Sequence, residues 1–370
     1  MALVWLALPG FFIWLCILIL PWRPWSTRES LDAISSSNPD LPEVTVLIPA
    51  RNEEDNIATT ILAAAEQGSR HKIIIIDDQS TDKTATVVED LNIPGLELIS
   101  GEPLPPNWTG KLWALQQGLQ RVTTEYTLLL DADIKLLPGT LDSLETKIHL
   151  EALDLVSLMA ALRMQSFWEK LLMPAFIYFF KFLYPFHLSN SNSKMIAAAA
   201  GGCILIRTDT LRQIGGFEAL RSELIDDCAL ARQVKNAGGK IWIGLTHSAV
   251  SHRRYDSLAS IWDMVNRTAF TQLHHSLLLL LICTILLISA YVLPILVLIF
   301  SSKTSLLLSI VTLIIMFSTY TPTLKYYGLS YFWALTLPVI GVLYLLMTWD
   351  SARRHWKGTG VIWKNRAYNK

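Results

Sequence analysis

Apolar stretches without charge occupy both ends of the chain and divide its 370 residues into three regions. One stretch runs from Val4 to Leu20, and the later ones cover Leu277–Phe300, Leu306–Tyr320 and Tyr331–Trp349. Apolar runs of about 20 residues predict helices that span a bilayer. We therefore predict an N-terminal transmembrane anchor over residues 1–22 and about three C-terminal transmembrane segments over residues 277–349. Burial in the core of a soluble protein is the alternative.

The pattern between these ends is different, because short apolar runs alternate with amphipathic ones. The short runs predict buried strands at Val44–Ala50, Lys72–Asp78, Leu96–Ser100, Tyr126–Asp131 and Asp154–Met159. Helices are predicted between them, the first capped by Asn52 and another from about Lys111 to Arg121. This alternation predicts an α/β domain, over residues 41–275, with a mostly parallel sheet and helices on both faces.

Polar residues follow three of the predicted strands directly, as Arg51-Asn52-Glu53, Asp77-Asp78 and Asp131-Ala132-Asp133. In parallel α/β sheets the ligand crevice lies beyond the carboxyl ends of the strands. If the chain stays extended, Asp131 and Asp133 project to the same side. Two carboxylates there suit Mg²⁺ or Mn²⁺, which would also bind diphosphate oxygens. The alternative is a capped, solvated turn before Pro138-Gly139.

A second acidic pair and a lysine are further candidates for chemistry. Asp226-Asp227 precedes a predicted helix that Gly238-Gly239 ends. The pair is either an acidic helix N-terminus or a general base beside an acceptor hydroxyl. Lys111 opens a helix behind Gly110, and it is either solvated or a cation that meets a diphosphate.

Composition and missing motifs exclude several classes of function. The chain is 52% hydrophobic with a mean hydropathy of +0.37, and its zero net charge gives no sign of a nucleic-acid partner. There is no Gly-x-Gly-x-x-Gly after the first strand and no Gly-Lys-Ser/Thr loop, which argues against a dinucleotide oxidoreductase or a P-loop enzyme. The four cysteines have no paired spacing, so neither a disulfide framework nor a zinc site is indicated.

Several motifs resemble those of family 2 glycosyltransferases with a GT-A fold. In chain order they are PARNEEDNI, IDDQSTDKT, GKLWALQQG, LLLDADI, GGCILIR, IGGF and IDDCALARQVKNAGG, over about Val44 to Arg254. Longer stretches such as GEPLPPNWTGKLWA and SFWEKLLMPAFIYFF resemble, more closely still, the hopene-associated glycosyltransferases of bacterial hopanoid gene clusters.

The resemblance implies an inverting, hexosyltransferase-like transfer from a UDP- or GDP-sugar. Residues Pro49, Ala50, Arg51, Glu53 and Asp78 would bind the nucleotide base and ribose, and Lys111 would lie near the diphosphate. Asp131 and Asp133 would bind ribose and the divalent metal, with Asp133 the firmer ligand. Asp227 would take the acceptor proton, assisted by Asp226.

Two departures from the family pattern bear on the acceptor. Gln116 stands where many relatives have Asn, and the Gln-x-x-Arg-Trp motif of processive polysaccharide synthases is absent. A polymerising synthase is therefore disfavoured, and a single transfer to a lipid is preferred.

The aromatic segment Ser166–Leu188 predicts a helix at the membrane interface. Lys170 and Lys181 are 11 residues apart and share one helical face, so we expect them to point towards lipid headgroups. A buried core helix is the alternative.

Basic residues partly determine the topology. Arg23 and Arg28, just after the first apolar stretch, place the middle domain in the cytoplasm. The basic tail over residues 350–370 also favours the cytoplasmic side. Three spans after a cytoplasmic domain would instead put this tail on the opposite side of the membrane. The number of spans and the side of the tail therefore stay open.

We therefore predict a metal-dependent glycosyltransferase in the bacterial cytoplasmic membrane, multi-pass and with its catalytic domain in the cytoplasm. Its donor is a nucleotide sugar and its acceptor a lipid, with a hopanoid as the candidate. The alternatives are a polyprenyl-phosphate, sphingolipid or carotenoid glycosyltransferase, or a non-catalytic membrane protein on the same fold.

Overall fold

The computed structural model describes residues 2–34, 42–68, 71–300, 303–358, 361–363 and 366–368. The strands are β1 (Val44–Ala50), β2 (Lys72–Asp77), β3 (Leu96–Ser100), β4 (Tyr126–Leu130), β5 (Ile134–Leu136), β6 (Leu155–Ala161), β7 (Cys203–Arg207), β8 (Ile241–Ser251), β9 (Val361–Trp363) and β10 (Arg366–Tyr368). The helices are α1 (Ala2–Ile19), α2 (Ile57–Ala65), α3 (Thr84–Asp90), α4 (Gly110–Leu119), α5 (Thr140–Leu150), α6 (Phe167–Leu183), α7 (Phe186–Ser189), α8 (Thr208–Gln213), α9 (Asp226–Asn236), α10 (Leu258–Asn266), α11 (Ala269–Gln272), α12 (Leu277–Leu287), α13 (Leu293–Phe300), α14 (Lys303–Tyr326) and α15 (Leu337–Trp356).

The chain forms two compact units, each built from separated segments. The first, which we call the helical unit, consists of Met1–Arg28, Met164–Pro185 and Tyr255–Lys370. The second, the sheet unit, consists of Glu29–Arg163 and Phe186–Arg254. The sheet unit therefore begins earlier and ends earlier than the domain predicted over residues 41–275, and it omits most of the predicted interfacial segment.

The sheet unit is organised by an eight-stranded mixed sheet in the order β3-β2-β1-β4-β7-β6-β8-β5. Four strand pairs are parallel (β1 with β2, β1 with β4, β2 with β3, β6 with β8), and three are antiparallel (β4 with β7, β6 with β7, β5 with β8). The antiparallel pairs all involve β5 or β7. The structure thus confirms the predicted α/β fold with a mostly parallel sheet.

Strands β1, β2, β4, β6 and β7 are buried along most of their length, which explains their largely apolar sequences. Along β4, Leu128 and Leu130 pack in one hydrophobic cluster and Leu129 packs in another. Alternate residues of a strand point to opposite faces, so the two clusters lie on opposite sides of the sheet. Helices α2, α3 and α5 contribute to the first cluster, and α4 and α9 contribute to the second.

Among the described residues of the helical unit, three helices are long and apolar enough to cross a membrane: Leu277–Phe300, Thr304–Tyr326 and Tyr331–Trp356. They confirm the three predicted late stretches and extend the second and third beyond the predicted ends. A π-helical turn, Ile288–Val292, joins α12 to α13 within the first of them. At the N-terminus, Val4–Ile19 is a shorter apolar helix.

The predicted interfacial segment 166–188 is divided between the units. Helix α6 lies in the helical unit, where Ser166 and Glu169 form a capping box at its start. Lys181 is 2% exposed and its ammonium donates to the carbonyl of Ser26. The expectation that Lys181 points towards lipid headgroups was therefore wrong, because a backbone acceptor within the same unit holds its charge.

Candidate active site

The sheet order brings three of the predicted polar segments together. Strands β2, β1 and β4 are neighbours and run parallel. Their carboxyl ends, Asp77, Ala50 and Leu130, therefore lie at the same edge of the sheet, and the residues that follow them share that edge. Pro49 and Ala50 are the last residues of β1 and pair with Ile76 and Asp77.

The loops after β1 and β2 are hydrogen-bonded to each other. Arg51 donates to the carbonyls of Asp78 and Gln79 at 2.5 and 2.9 Å. The N–H of Asp78 donates to the carbonyl of Ala50 at 2.8 Å, and Asp78 is only 2% exposed. The predicted nucleotide-binding residues Ala50, Arg51 and Asp78 are therefore brought together by backbone contacts.

Asn52 does not cap a helix, contrary to the sequence-based expectation. Its φ of 51° is left-handed, and its side-chain oxygen accepts from the N–H of Thr81 at 2.8 Å. Helix α2 begins only at Ile57, with Asn56 in the N-cap position. The turn over residues 51–56 arises because Asn tolerates the left-handed region better than most residues.

Lys111 links the predicted donor side to the predicted acceptor side. It is the second residue of α4, and its Nζ lies 2.8 Å from Asp131 Oδ1 and 3.5 Å from Asp226 Oδ2. All three side chains are partly exposed, between 24% and 33%. A cation thus stands between two carboxylates that the sequence analysis had assigned to different steps.

Asp227 lies at the start of α9 beside this cluster and is held by backbone donors. Its Oδ2 accepts from the N–H of Gly201 at 2.8 Å, and its Oδ1 accepts from the N–H of Cys228 at 2.7 Å. Burial, together with the neighbouring charge of Asp226, raises the pKa of Asp227 to about 6, although Lys111 and the two N–H groups oppose the shift. A carboxylate with this pKa can accept a proton near neutral pH.

The backbone at Gly201 lies close to two of these charged groups. A Cβ at this position would lie 3.2 Å from Lys111 Nζ and 3.4 Å from Asp227 Oδ2. A side chain here would therefore contact both groups.

Asp131 and Asp133 do not lie on an extended strand, so the expectation that they project to one side because of strand periodicity was wrong. Strand β4 ends at Leu130, and residues 131–133 turn, with the N–H of Ile134 donating to the carbonyl of Asp131 at 3.0 Å. Asp131 faces Lys111, and burial raises its pKa while that lysine opposes the shift. Asp133 is 7% exposed and has different partners.

The partners of Asp133 are residues that the sequence analysis did not select. Ser251 Oγ donates to Asp133 Oδ2 at 2.6 Å, and Arg253 Nε lies 3.5 Å from the same oxygen. Arg253 Nη2 also lies 2.6 Å from Oε1 of Glu53, which is 5% exposed. The polar stretch SHRRY, directly after an apolar run, is the sequence feature that could have indicated these residues.

A small, partly open pocket adjoins the cluster. Its charged lining comes from Lys111, Asp226 and Asp227, and the rest of the lining is largely apolar, including Phe217 and Leu220.

The turn that carries Asp131 and Asp133 has the donor chemistry of a magnesium or manganese site. Hard carboxylate oxygens are the ligands that these ions prefer. Among the residues that the structure describes, no group of three or more histidine, cysteine, aspartate or glutamate side chains could hold a metal ion. Asp131 and Asp133 would each supply a carboxylate oxygen to such a cation.

Comparisons with known proteins found partial sequence relatives and a similar fold. Two curated relatives named 4,4'-diaponeurosporenoate glycosyltransferase match parts of the chain. The protein of Staphylococcus aureus (strain USA300) is 31% identical over 106 residues, which are 29% of this chain and 27% of that protein. The protein of Staphylococcus haemolyticus is 28% identical over 93 residues, which are 25% of this chain and 24% of that protein. The chain thus matches about a quarter of the length of these relatives.

The mannosyltransferase PcManGT of Pyrobaculum calidifontis, solved in complex with GDP-Man and Mn²⁺, is a similar structure. The TM-score is 0.56 at 18% identity, over 95% of this chain and 99% of that one. At this identity the likeness establishes the fold. Residues 45–215 match the family described as Glycosyl transferase family 2. The chain therefore has a GT-A fold, and its residues 45–215 are similar to glycosyl transferase family 2.

Proposed function

We propose that the chain is a membrane-bound inverting glycosyltransferase that moves a sugar from a nucleotide-diphosphate sugar to a lipid, with a hopanoid as the first acceptor to test. The observation that carries the proposal is the position of Lys111 between Asp131 and Asp226, with Asp227 beside them. In this proposal the leaving diphosphate and the attacking hydroxyl meet at one charged cluster.

On the donor side, Pro49, Ala50, Arg51, Glu53 and Asp78 receive the base and ribose of a UDP- or GDP-sugar. The ammonium of Lys111 meets the diphosphate, since a charged donor bonds phosphate oxygens strongly. Asp131 and Asp133 would hold Mg²⁺ or Mn²⁺, which when bound would supply positive charge to offset the charge that develops on the leaving diphosphate.

On the acceptor side, Asp227 accepts the proton of the attacking hydroxyl. Its carboxylate oxygens are oriented by the N–H groups of Gly201 and Cys228. The hydroxyl oxygen then attacks the anomeric carbon from the face opposite the diphosphate, which inverts the configuration. Asp226 assists because its negative charge raises the proton affinity of Asp227.

A lipid acceptor is supported by two findings from outside the charged cluster. Three helices could cross a membrane, and the curated relatives are glycosyltransferases named for 4,4'-diaponeurosporenoate. We place the enzyme in the bacterial cytoplasmic membrane as a multi-pass protein. Arg23 and Arg28 favour a catalytic domain on the cytoplasmic side, where nucleotide sugars are made.

The proposal is tested with membranes that contain the full chain. Labelled UDP- and GDP-sugars are supplied with Mn²⁺ or Mg²⁺, and the acceptors are extracted hopanoids, polyprenyl phosphate, sphingolipid and carotenoid in parallel. We expect label in the hopanoid fraction, and its loss with EDTA and recovery with excess Mn²⁺. Asp227→Asn should lower the rate by about 10²- to 10⁴-fold, the usual contribution of a positioned general base.

Asp209→Asn is the matched control, because Asp209 is an exposed aspartate of α8 outside the cluster. Its rate should equal that of the wild type. Label in another lipid would identify that lipid, and not the hopanoid, as the acceptor. No transfer with any combination of sugar donor and lipid would favour the non-catalytic alternative. An active Asp227→Asn variant would show that Asp227 is not the base. Transfer in the presence of EDTA would show that the reaction needs no divalent metal.

A further inference from the structure

Three consecutive residues at the end of β8, Ser251, His252 and Arg253, surround Asp133. We propose that they form a clamp that positions the Asp133 carboxylate for the cation and diphosphate of the donor. The proposal rests on the proposed function, and it adds Ser251 and Arg253 as positioning residues. We call residues 251–253 the Asp133 clamp.

Each residue of the Asp133 clamp contacts Asp133, either by a hydrogen bond or by an ion pair. The hydroxyl of Ser251 donates to Oδ2 at 2.6 Å, the N–H of His252 donates to the backbone carbonyl at 2.8 Å, and the guanidinium of Arg253 lies 3.5 Å from Oδ2. The N–H of Arg253 also donates to the Ser251 hydroxyl oxygen at 3.3 Å. The backbone and the carboxylate of Asp133 are thus fixed together.

The sheet register explains why the clamp reaches Asp133. Strand β5 pairs antiparallel with β8, and Ile134 lies opposite Ser251. Asp133 precedes Ile134, so it lies next to the residues that leave β8. An error of one residue in this pairing would turn the side chain of Ser251 to the other face of the sheet.

Charge gives Arg253 its specific role within the clamp. Its Nη2 lies 2.6 Å from Glu53 Oε1 while its Nε faces Asp133, so one guanidinium compensates two carboxylates. Glu53 and Asp133 are 5% and 7% exposed, and an uncompensated carboxylate with so little water is unfavourable. The planar fork of an arginine can serve both partners at once, whereas a lysine has a single ammonium.

The clamp also determines which carboxylate oxygen of Asp133 can bind a cation. Ser251 and Arg253 both contact Oδ2, which leaves Oδ1 to coordinate a cation. Fixing a ligand through groups behind it stabilises metal sites, because the carboxylate then needs no reorientation when the ion binds. Without Arg253 the carboxylate would keep Ser251 as its side-chain partner but would lose the compensating charge.

The test measures binding without turnover, using the purified full chain in detergent. Free Mn²⁺ is followed by electron paramagnetic resonance during titration in the presence of UDP, and again with GDP. Arg253→Ala should weaken Mn²⁺ binding by about 10- to 100-fold, the usual effect of removing a partner behind a metal ligand. Ser251→Ala should weaken it by a smaller factor, and Arg253→Lys should fall between Arg253→Ala and the wild type.

Arg254→Ala is the matched control, because Arg254 is the exposed neighbour with the same charge. It should bind Mn²⁺ as the wild type does. Nucleotide binding without metal is measured for every variant. In Arg253→Ala it should weaken less than Mn²⁺ binding does, although Glu53 loses a partner there, whereas a merely structural role would weaken both to the same extent. Should Arg253→Ala not fold, Ser251→Ala and Arg253→Lys provide the same comparison.

The outcomes separate this proposal from the proposed function. If the wild type binds Mn²⁺ with UDP or GDP and Arg253→Ala binds it equally or more tightly, the clamp is refuted and the glycosyltransferase remains. If Arg253→Ala loses metal-free nucleotide binding to the same extent, the residue is structural and the proposal is also refuted. If the wild type binds neither nucleotide with Mn²⁺, the proposed function fails and the clamp fails with it.

Discussion

At the residue scale, the balance of charge around Lys111 determines what the site can do. Burial opposes the charge of this lysine, yet Asp131 and Asp226 raise its pKa well above the usual value. Lys111 therefore stays protonated at every physiological pH and can meet a diphosphate as a full cation. The carboxylate that changes its protonation state near neutral pH is Asp227.

The first prediction at this scale concerns the pH dependence of transfer. Asp227 accepts a proton only in its ionised form, and its pKa is raised to about 6. The kcat/KM of transfer should therefore be constant above this pH and fall about tenfold per unit below it. Asp226→Asn removes a negative neighbour, which lowers the pKa of Asp227, so the midpoint should move to lower pH.

Measuring kcat/KM for the acceptor between pH 4.5 and 8.5 checks this sign, with the pH range set around the value of about 6. Asp209→Asn, remote from the cluster, should keep the wild-type midpoint. A midpoint that stays the same or rises in Asp226→Asn would contradict the assigned coupling.

At the scale of elements, the π-helical turn Ile288–Val292 organises the helical unit. Trp14 of α1 is fully buried and donates its indole N–H to the carbonyl of Ala290 at 2.9 Å. A Cβ on Gly10 would lie 2.4 Å from the carbonyl oxygen of Ser289, and one on Gly341 would lie 2.5 Å from the ring of Tyr291. Helices α1 and α15 thus approach the turn closely because glycines lie at the contacts.

The prediction at this scale is that Gly10→Ala destabilises the helical unit. The new Cβ would meet a backbone oxygen, which cannot rotate away, so α1 must move. Overpacking of this kind costs about 1–3 kcal/mol, against a gain in helix propensity of about 1 kcal/mol. The midpoint of thermal unfolding in detergent should therefore fall. Leu6→Ala, at an exposed position of the same helix, should change it less, and a midpoint raised by Gly10→Ala would contradict the close contact.

At the scale of the whole molecule, the chain passes between its two units several times. The chain leaves the sheet unit after Arg163, forms α6 in the helical unit, and returns to the sheet unit at Phe186. Within the helical unit, Tyr178 of α6 bonds Thr319 at 2.9 Å, and Tyr344 donates to the carbonyl of Leu172 at 2.9 Å. The sheet unit is therefore interrupted by a helix whose partners are the apolar C-terminal helices.

This connectivity predicts how truncated chains behave. A fragment Glu29–Arg254 keeps α6 but removes the helices that cover it, so its apolar surface should cause aggregation without detergent. Replacing Met164–Pro185 by a Gly/Ser linker in the same fragment should restore a soluble monomer. Size-exclusion chromatography and sedimentation measure whether each of the two fragments is a monomer or an aggregate. Equal solubility of both would show that α6 does not depend on the helical unit.

The sequence by itself determined the fold class, the apolar C-terminal helices and the set of polar residues at the strand ends. These follow from local causes, because the alternation of apolar runs and the strand-end rule depend on neighbours along the chain. Asp131 could be selected in this way, and Lys111, Asp226 and Asp227 could be selected as charged residues at the starts of predicted helices. The roles of all four remain proposals.

Only the tertiary structure decided which of these groups meet. Strand periodicity could not show that residues 131–133 turn, that Lys111 joins Asp131 to Asp226, or that Lys181 is buried against Ser26. Arg253 lies 120 residues from Asp133 along the chain, and the pairing of β5 with β8 brings them together. Contacts between distant segments depend on which strands become neighbours in the sheet, and the pattern within each strand does not show which strand it will pair with.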